Sequence, residues 1–291
     1  MRSISIVLTL VLVQGCGFYA SAAADATLVE PVTRFKLSGQ VKETSGLART
    51  GDTWWTVNDS GDKATIYGLS DQTGEVVKRL RLTGANNLDW EDLAQDAEHL
   101  YVADTGNNAG KRKILSIYKI SRQALISKNS VAAQKLTLRY ADYAEQTTGG
   151  KRSHNVDCEA IARVGESLWL FSKNRGDQKT RLYKADINTD SLQTLSPVGE
   201  YPVKGLVTAA DYNVETAELA LLVYGYGPSF GQASIWRLPV VDNLPDWHQA
   251  KKYRLKRPGQ WESILWQGKN RVTVTAEGSF FGGPEMADIE L

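Results

Sequence analysis

One short pattern occurs five times along this chain, and an internal five-fold repeat restricts the fold more than any single motif can. Glu43-Thr-Ser-Gly-Leu-Ala48, Asp89-Trp-Glu-Asp-Leu-Ala94, Asp157-Cys-Glu-Ala-Ile-Ala162, Gly205-Leu-Val-Thr-Ala-Ala210 and Gln260-Trp-Glu-Ser-Ile-Leu265 each open a run of small and apolar residues. A strongly apolar strand is predicted after each: Thr53–Val57, Leu100–Ala103, Ser167–Phe171, Glu218–Val223 and Arg271–Thr275. Each of these runs into a Gly-containing turn: Asn58-Asp-Ser-Gly61, Ala103-Asp-Thr-Gly106, Lys173-Asn-Arg-Gly176, Tyr224-Gly-Tyr-Gly227 and Thr275-Ala-Glu-Gly278.

A third strand is predicted after every turn, at Thr65–Leu69, Leu115–Ile120, Arg181–Ala185, Ser234–Leu238 and Met286–Leu291. A fourth follows in four cases, at Val76–Leu82, Lys135–Tyr140, Leu192–Tyr201 and Lys251–Lys256. These runs alternate and are rich in β-branched and aromatic residues, with little helical periodicity. Five units of four antiparallel strands predict an all-β, five-bladed β-propeller; a β-sandwich would not repeat a four-strand unit. The fifth unit lacks its fourth strand because the chain stops at Leu291. Val32–Leu37 is a spare strand able to complete that blade and close the ring, which removes an unpaired edge at the seam.

Leu47 and Leu93 lie 46 residues apart, but Leu93 and Ile161 lie 68 apart. The surplus falls in Ser121–Gln134, where a short helix is expected, and in Ala144–Asn155. Six blades are the alternative if that long interval hides another unit.

The 34 Lys and Arg residues balance 33 Asp and Glu, so nothing here neutralises a nucleic-acid backbone. Arg2 and the apolar run Ile4–Val13 read as an export signal, too short to span a bilayer. Residues 1–22 are expected to be removed after Ala20-Ser21-Ala22, leaving one propeller domain over 27–291. Val13-Gln14-Gly15-Cys16 offers a lipobox-like alternative in which Cys16 carries a lipid anchor. Either way the protein is expected outside the cytoplasm, periplasmic or secreted, as a monomer without a transmembrane segment. Cleavage after Ala22 leaves Cys158 as the sole cysteine, so no intramolecular disulfide can form.

Strand order puts the start of each first strand and each Gly turn on one face, around the mouth of the central channel. Three columns of residues then line up. Glu43, Asp89, Asp157, Gly205 and Gln260 form the first, and Ser45, Glu91, Glu159, Val207 and Glu262 the second. Asp59, Asp104, Asn174, Gly225 and Ala276 form the third, with Glu277 adjacent. Seven carboxylates in blades one to three, Glu43, Asp59, Asp89, Glu91, Asp104, Asp157 and Glu159, cannot all stay ionised together unaided. Either their pKa values rise or a cation binds. Oxygen ligands without a His or Cys set suit Ca²⁺ better than Zn²⁺. The alternative is that these acids serve turn geometry alone. Arg112, Lys173 and Arg175 border the same region, as do Lys151, Arg152 and His154 in the inserted loop. They are suited to an anionic group of a ligand or to plain salt bridges. Cys158, flanked by Asp157 and Glu159, points to the other side of its strand and reads as a packing residue. No serine elbow, P-loop or dinucleotide fingerprint is present.

Glu43-Thr-Ser-Gly-Leu-Ala, Val57-Asn-Asp-Ser-Gly, Asp89-Trp-Glu-Asp-Leu-Ala and Ala103-Asp-Thr-Gly-Asn-Asn with Arg112 resemble motifs of exported bacterial β-propellers of the SdiA-regulated and phytase-like or esterase-like groups. That resemblance covers most of the mature chain, is specific in blades one to three, and implies a secreted or periplasmic propeller with calcium. Blades four and five depart from it at Gly205, Val207, Gly225 and Ala276, which argues against a symmetric metal ring.

Two functions are therefore expected of the funnel. One is a calcium-dependent hydrolase of an ester or phosphoester. In it Asp59, Asp104, Glu91 and Glu159 hold the metal, while Glu91, Glu159, Arg112 and Lys173 do the chemistry. Glu43, Asp89, Asp157, Asn174, Arg175 and His154 contact the ligand. The other is a non-catalytic propeller that binds a small molecule or polymer on the same face.

Overall fold

In the computed structural model, residues 26–147 and 153–291 are described. The expected leader, Cys16, Lys151 and Arg152 lie outside them. Five sheets radiate around an axis, one for each repeat, and six blades are excluded by the strand order. Blade one comprises Thr44–Thr50, Thr53–Asn58, Thr65–Ser70 and Val76–Thr83 from axis to rim. The same order holds for Trp90–Gln95, His99–Asp104, Leu115–Ser121 and Gln134–Tyr140 in blade two. Blade three holds Asp157–Val164, Ser167–Lys173, Thr180–Asp186 and Gly199–Tyr201. Blade four holds Leu206–Asn213, Glu218–Tyr224, Ala233–Val241 and Lys251–Leu255. In blade five, Trp261–Trp266, Arg271–Ala276 and Glu285–Glu290 are completed by Val32–Lys36, antiparallel to the last of them. The N-terminal strand closes the ring as its sequence predicts.

One predicted strand divides. Leu192–Tyr201 breaks around Pro197, which has no N–H for a ladder. Its first part, Gln193–Leu195, crosses to lie parallel on Leu138–Tyr140 of blade two, and Gly199–Tyr201 stays in blade three. The same device recurs elsewhere. Ser130–Ala132 leaves blade two to lie parallel on Arg81–Thr83 of blade one, and Thr27–Val29 lies parallel on Tyr253–Leu255 of blade four. Outer edges that would otherwise invite pairing with another chain are thereby covered. The helix expected within 121–134 is Arg122–Ser127, with the Ser121 Oγ accepting from Gln123 N at its start.

Apolar packing lies between the blades. Five buried clusters form, one per interface, and Trp54, Trp55, Trp90, Trp169 and Trp261 are among the largest fully buried side chains. Cys158 belongs to the cluster between blades two and three, where burial pushes its thiol up to about 11. It is a small core hydrophobe.

At the axis the inner strands approach so closely that polar groups hold them. Ser45 Oγ donates to Glu91 O, Thr105 Oγ1 to Cys158 O at 2.8 Å, and Thr208 Oγ1 to Trp261 O at 3.0 Å. Thr44 and Thr275 hydroxyls meet at 3.2 Å across the seam. Asp92, wholly buried, accepts from Leu93 N at 2.8 Å, Ile161 N at 2.9 Å and Ala210 N at 3.3 Å, tying blades two, three and four together. Gly46 (φ +65°) sits where a Cβ would overlap the backbone of Asp92 and Leu93.

That crowding yields a paired test. Gly46→Ala adds overlap with an immovable backbone to left-handed strain and should cost about 2–5 kcal/mol. Gly51→Ala, at φ +58° with open space around it, meets the strain alone and should cost about 1–2 kcal/mol. Urea unfolding midpoints at unchanged slope report both. Equal losses would show that the inner strands are not tightly apposed.

Candidate functional site

Each inner strand slips register against its neighbour near its start: between Ser45 and Leu47, Trp90 and Asp92, Cys158 and Ala160, Val207 and Ala209, and Trp261 and Ser263. The residue left over is Gly46, Glu91, Glu159, Thr208 or Glu262. A bulge takes one residue out of the ladder and re-aims its side chain. Three of five bulges carry glutamate. In blades one and four the bulged residue is Gly46 or Thr208, one position beyond the Ser45 and Val207 of the sequence column.

The ring gathers carboxylates from separate blades. Asp59, Asp89 and Glu91 offer oxygens all within 4.8 Å of one another, and so do Glu91, Asp157 and Glu159. Glu91 belongs to both trios and is only 4% exposed. Its Oε1 is fully buried and has no hydrogen-bond partner. Of the four residues expected to hold metal, the structure brings Asp59, Glu91 and Glu159 into these trios. Asp104 lies outside them, its Oδ1 accepting from Asp89 N at 3.1 Å and Arg112 at 2.9 Å. Asp89 and Asp157, expected to touch ligand, take its place.

The two trios differ in compensation. Lys173 Nζ pairs with Glu159 Oε2, and Arg175 pairs with Asp157 Oδ2 while standing 3.8 Å from Glu159 Oε1. No ion pair reaches Asp59, Asp89 or Glu91 among the described residues. Burial, with the charges of Asp59 and Asp157, pushes Asp89 up to about 7. Burial first, then Asp59, Asp157 and Asp89, holds Glu91 well above the usual carboxylate range. Burial also raises Asp59, against the pull of its hydrogen bond from Ser60 N. Gly106 faces this trio, and a Cβ there would overlap Glu91 Oε1 and the Asp89 carboxylate. Glycine at 106 lets the Glu91 and Asp89 carboxylates pack directly against the loop backbone.

The motif Ala103-Asp-Thr-Gly-Asn-Asn with Arg112 builds the wall. Arg112 donates to Gly106 O at 2.6 Å and Asp104 O at 2.9 Å. Asn107 N donates to Asp157 Oδ1 at 2.6 Å, and Arg112 N to Asn107 Oδ1 at 2.8 Å. The Arg112 guanidinium is thus spent on holding the loop. His154 is buried under Gly110, its Nε2 3.2 Å from Asn108 O, away from both trios. Asn174 is buried in the third Gly turn with Nδ2 on Asp177 Oδ1 at 2.9 Å. Glu43 stays half-exposed on the rim, 3.4 Å from Lys42.

Blade five adds two carboxylates that complete the funnel. Burial pushes Glu262 to about 7, opposed by Lys173. Burial and the charge of Glu262 push Glu277 to about 8. Both stood in or beside the sequence columns, since Gln260-Trp-Glu-Ser-Ile repeats Asp89-Trp-Glu-Asp-Leu, but the weight there fell on blades one to three. Beside the funnel, a cavity of about 450 Å³ opens over blade one, lined by Glu43, Asn58, Asp62, Tyr67 and Arg79 among others. It shares Glu43 with the rim and excludes both trios.

Neither a protein-family model nor a curated protein matches the chain. Solved structures match its fold. An exo-β-1,3-galactanase from Phanerochaete chrysosporium is 10% identical with a TM-score of 0.56, over 88% of this chain and 63% of that one. The catalytic domain of a Coprinopsis cinerea GH62 α-L-arabinofuranosidase is 8% identical with a TM-score of 0.55, over 91% and 97%. An exo-β-1,3-galactanase from Clostridium thermocellum is 10% identical with a TM-score of 0.51, over 88% and 61%. The chain spans under two thirds of both galactanases. At these identities the likeness is one of fold.

The buried carboxylates set a pH dependence. Glu262 and Glu277 have folded pKa values of about 7 and about 8, above the ~4.3 of an unfolded glutamate. The folded state therefore keeps more protons, and stability falls as pH rises from about 4 to about 8. Denaturant midpoints in chelator-treated buffer should decline across that window. Glu262→Gln with Glu277→Gln should lessen the decline, to which Asp89 and Asp211 also contribute, and an unchanged slope would count against raised pKa values in this pair.

Proposed function

We propose that this protein is an exported hydrolase of an ester or phosphoester whose top-face funnel uses one divalent cation, calcium by its oxygen-only donors. One observation carries the reading: the buried, unpartnered Glu91 Oε1 within the Asp59–Asp89–Glu91 trio. Three carboxylates with no cation of their own form a donor set for a hard metal. In the other trio, Glu159 and Asp157 are already paired with Lys173 and Arg175.

Asp59, Asp89 and Glu91 would hold the ion, which would supply Lewis-acid polarisation of the scissile group when bound. Lys173 and Arg175 face the same mouth and stabilise negative charge as it develops on the substrate. Glu262, with the lower pKa of about 7, takes a proton from the attacking water, and Glu277, protonated below about 8, gives its proton to the leaving oxygen. Arg112 keeps Asp104 and the 104–112 loop in place behind Asp89. The glycosidase fold relatives and the resemblance to phytase-like propellers support a hydrolase. The second reading, a binding propeller, uses the same cation site without turnover.

Added Ca²⁺ should raise the melting temperature by several degrees, since a ligand at ~100 Kd contributes about 2.7 kcal/mol to the folded state. Asp59→Asn with Glu91→Gln should abolish that response and lower hydrolysis of 4-nitrophenyl acetate or phosphate at least ~100-fold. A Ca²⁺ response without turnover would select the binding propeller. Indifference of the wild type to Ca²⁺, Mg²⁺ and EDTA alike would sink the cation site.

A further inference from the structure

The two top-face turns of blades four and five carry aromatic rings that the core does not use. Phe280 is 99% exposed and Phe230 60%. From the buried Tyr224 outward the rings form a continuous series. Tyr224 to Phe230 is 5.4 Å between centroids, Phe230 to Phe281 5.8 Å, and Phe281 to Phe280 5.8 Å. The two turns are interlocked, for Phe281 packs on Gly231 (φ +86°) where any Cβ would overlap its ring. Gly231 O also accepts from Gly259 N at 2.9 Å, which anchors the turn to the blade behind it.

The inner end of this series reaches the funnel. Glu277 opens the same turn that carries Phe280 and Phe281, its Oε2 accepting from Gln260 Nε2 at 3.4 Å, and the Tyr224 hydroxyl is buried without a hydrogen-bond partner. A ligand on this rim therefore meets exposed aromatic rings outside and half-buried carboxyl groups inside. We infer that the aromatic rim of blades four and five is a saccharide-binding subsite, stacking sugar rings on Phe230, Phe280 and Phe281 and directing hydroxyls to Glu262 and Glu277. A pyranose or furanose offers apolar C–H faces and hydroxyl donors in one rigid unit, which is the combination these surfaces complement. A lipid acyl chain would satisfy the rings and leave the inner carboxyls dry and unpartnered. The inference deepens the hydrolase reading by naming the substrate as a glycoconjugate, and rests on that reading for the position of the scissile bond alone.

Saturation-transfer NMR in EDTA tests it apart from the cation site. The probes are neutral hexasaccharides of β-linked glucose, β-linked galactose and α-linked arabinose, each titrated separately. At least one should show transfer to its C–H ring protons, and Phe230→Ala with Phe280→Ala should weaken its affinity about tenfold or more. Both side chains are exposed, so the variant should keep the wild-type melting temperature and Ca²⁺ response; Phe280→Trp should retain binding. No transfer from any hexasaccharide, or equal affinity in the double variant, would overturn the subsite. So would wild-type binding to phosphatidylcholine vesicles that the double variant loses, which would make the rim a membrane contact. Asp59→Asn with Glu91→Gln should bind the saccharide as the wild type does, so loss of the cation reading leaves this one standing.

Discussion

Five inner strands converging on one axis leave too little room for ordinary side chains, and much of the molecule follows from that crowding. At the axis itself, hydroxyls and one carboxylate link the inner strands, while the apolar clusters lie farther out between the blades. Ser45, Thr105 and Thr208 each donate across to the next blade, and Asp92 accepts from two others. A buried carboxylate is costly unless its oxygens are satisfied, and Asp92 meets that condition by accepting three backbone N–H groups. Gly46 is glycine because the neighbouring backbone passes through the space a Cβ would need.

The same geometry concentrates charge. A bulge in each inner strand aims one residue out of the ladder, and the ring turns equivalent positions in successive blades into neighbours. Glutamate at three of the five bulges produces a buried acidic funnel. Blades two and three, which carry the longest surplus of chain, also supply the compensation. Their loops hold Arg112, Lys173 and Arg175 against the wall. Compensation is uneven: Asp157 and Glu159 are ion-paired, while Asp59, Asp89 and Glu91 have no ion pair among the described residues.

Blades four and five give up the acids of the third column for glycine and alanine at Gly225 and Ala276. Their turns carry phenylalanine instead. The funnel is consequently two-sided, with clustered carboxylates over blades one to three and aromatic surface over four and five. Such asymmetry on a symmetric scaffold is how propellers separate function from fold, because the turns on one face vary without disturbing the packed interfaces below.

The repeat determined the blade number, the strand order and the closing strand, because each repeat cannot bury its apolar face alone and must stack against the next. Alternation and the Gly turns were enough to place Glu91, Glu159, Asp59 and Glu262 on one face. Local sequence did not determine which of them would share an oxygen cage. Asp89 and Asp157 entered the trios, and Asp104 turned away, because Arg112 and the Asp89 amide captured its oxygen. Nor could local sequence show Asp92 as a link between three blades, since its partners Ile161 and Ala210 lie 69 and 118 residues away. Leu192–Tyr201 likewise read as one strand, and only the exposed edge of blade two drew its first half across. Side-chain type and period are local properties that a sequence carries openly; which oxygen finds which amide depends on how closely the ring brings distant strands together.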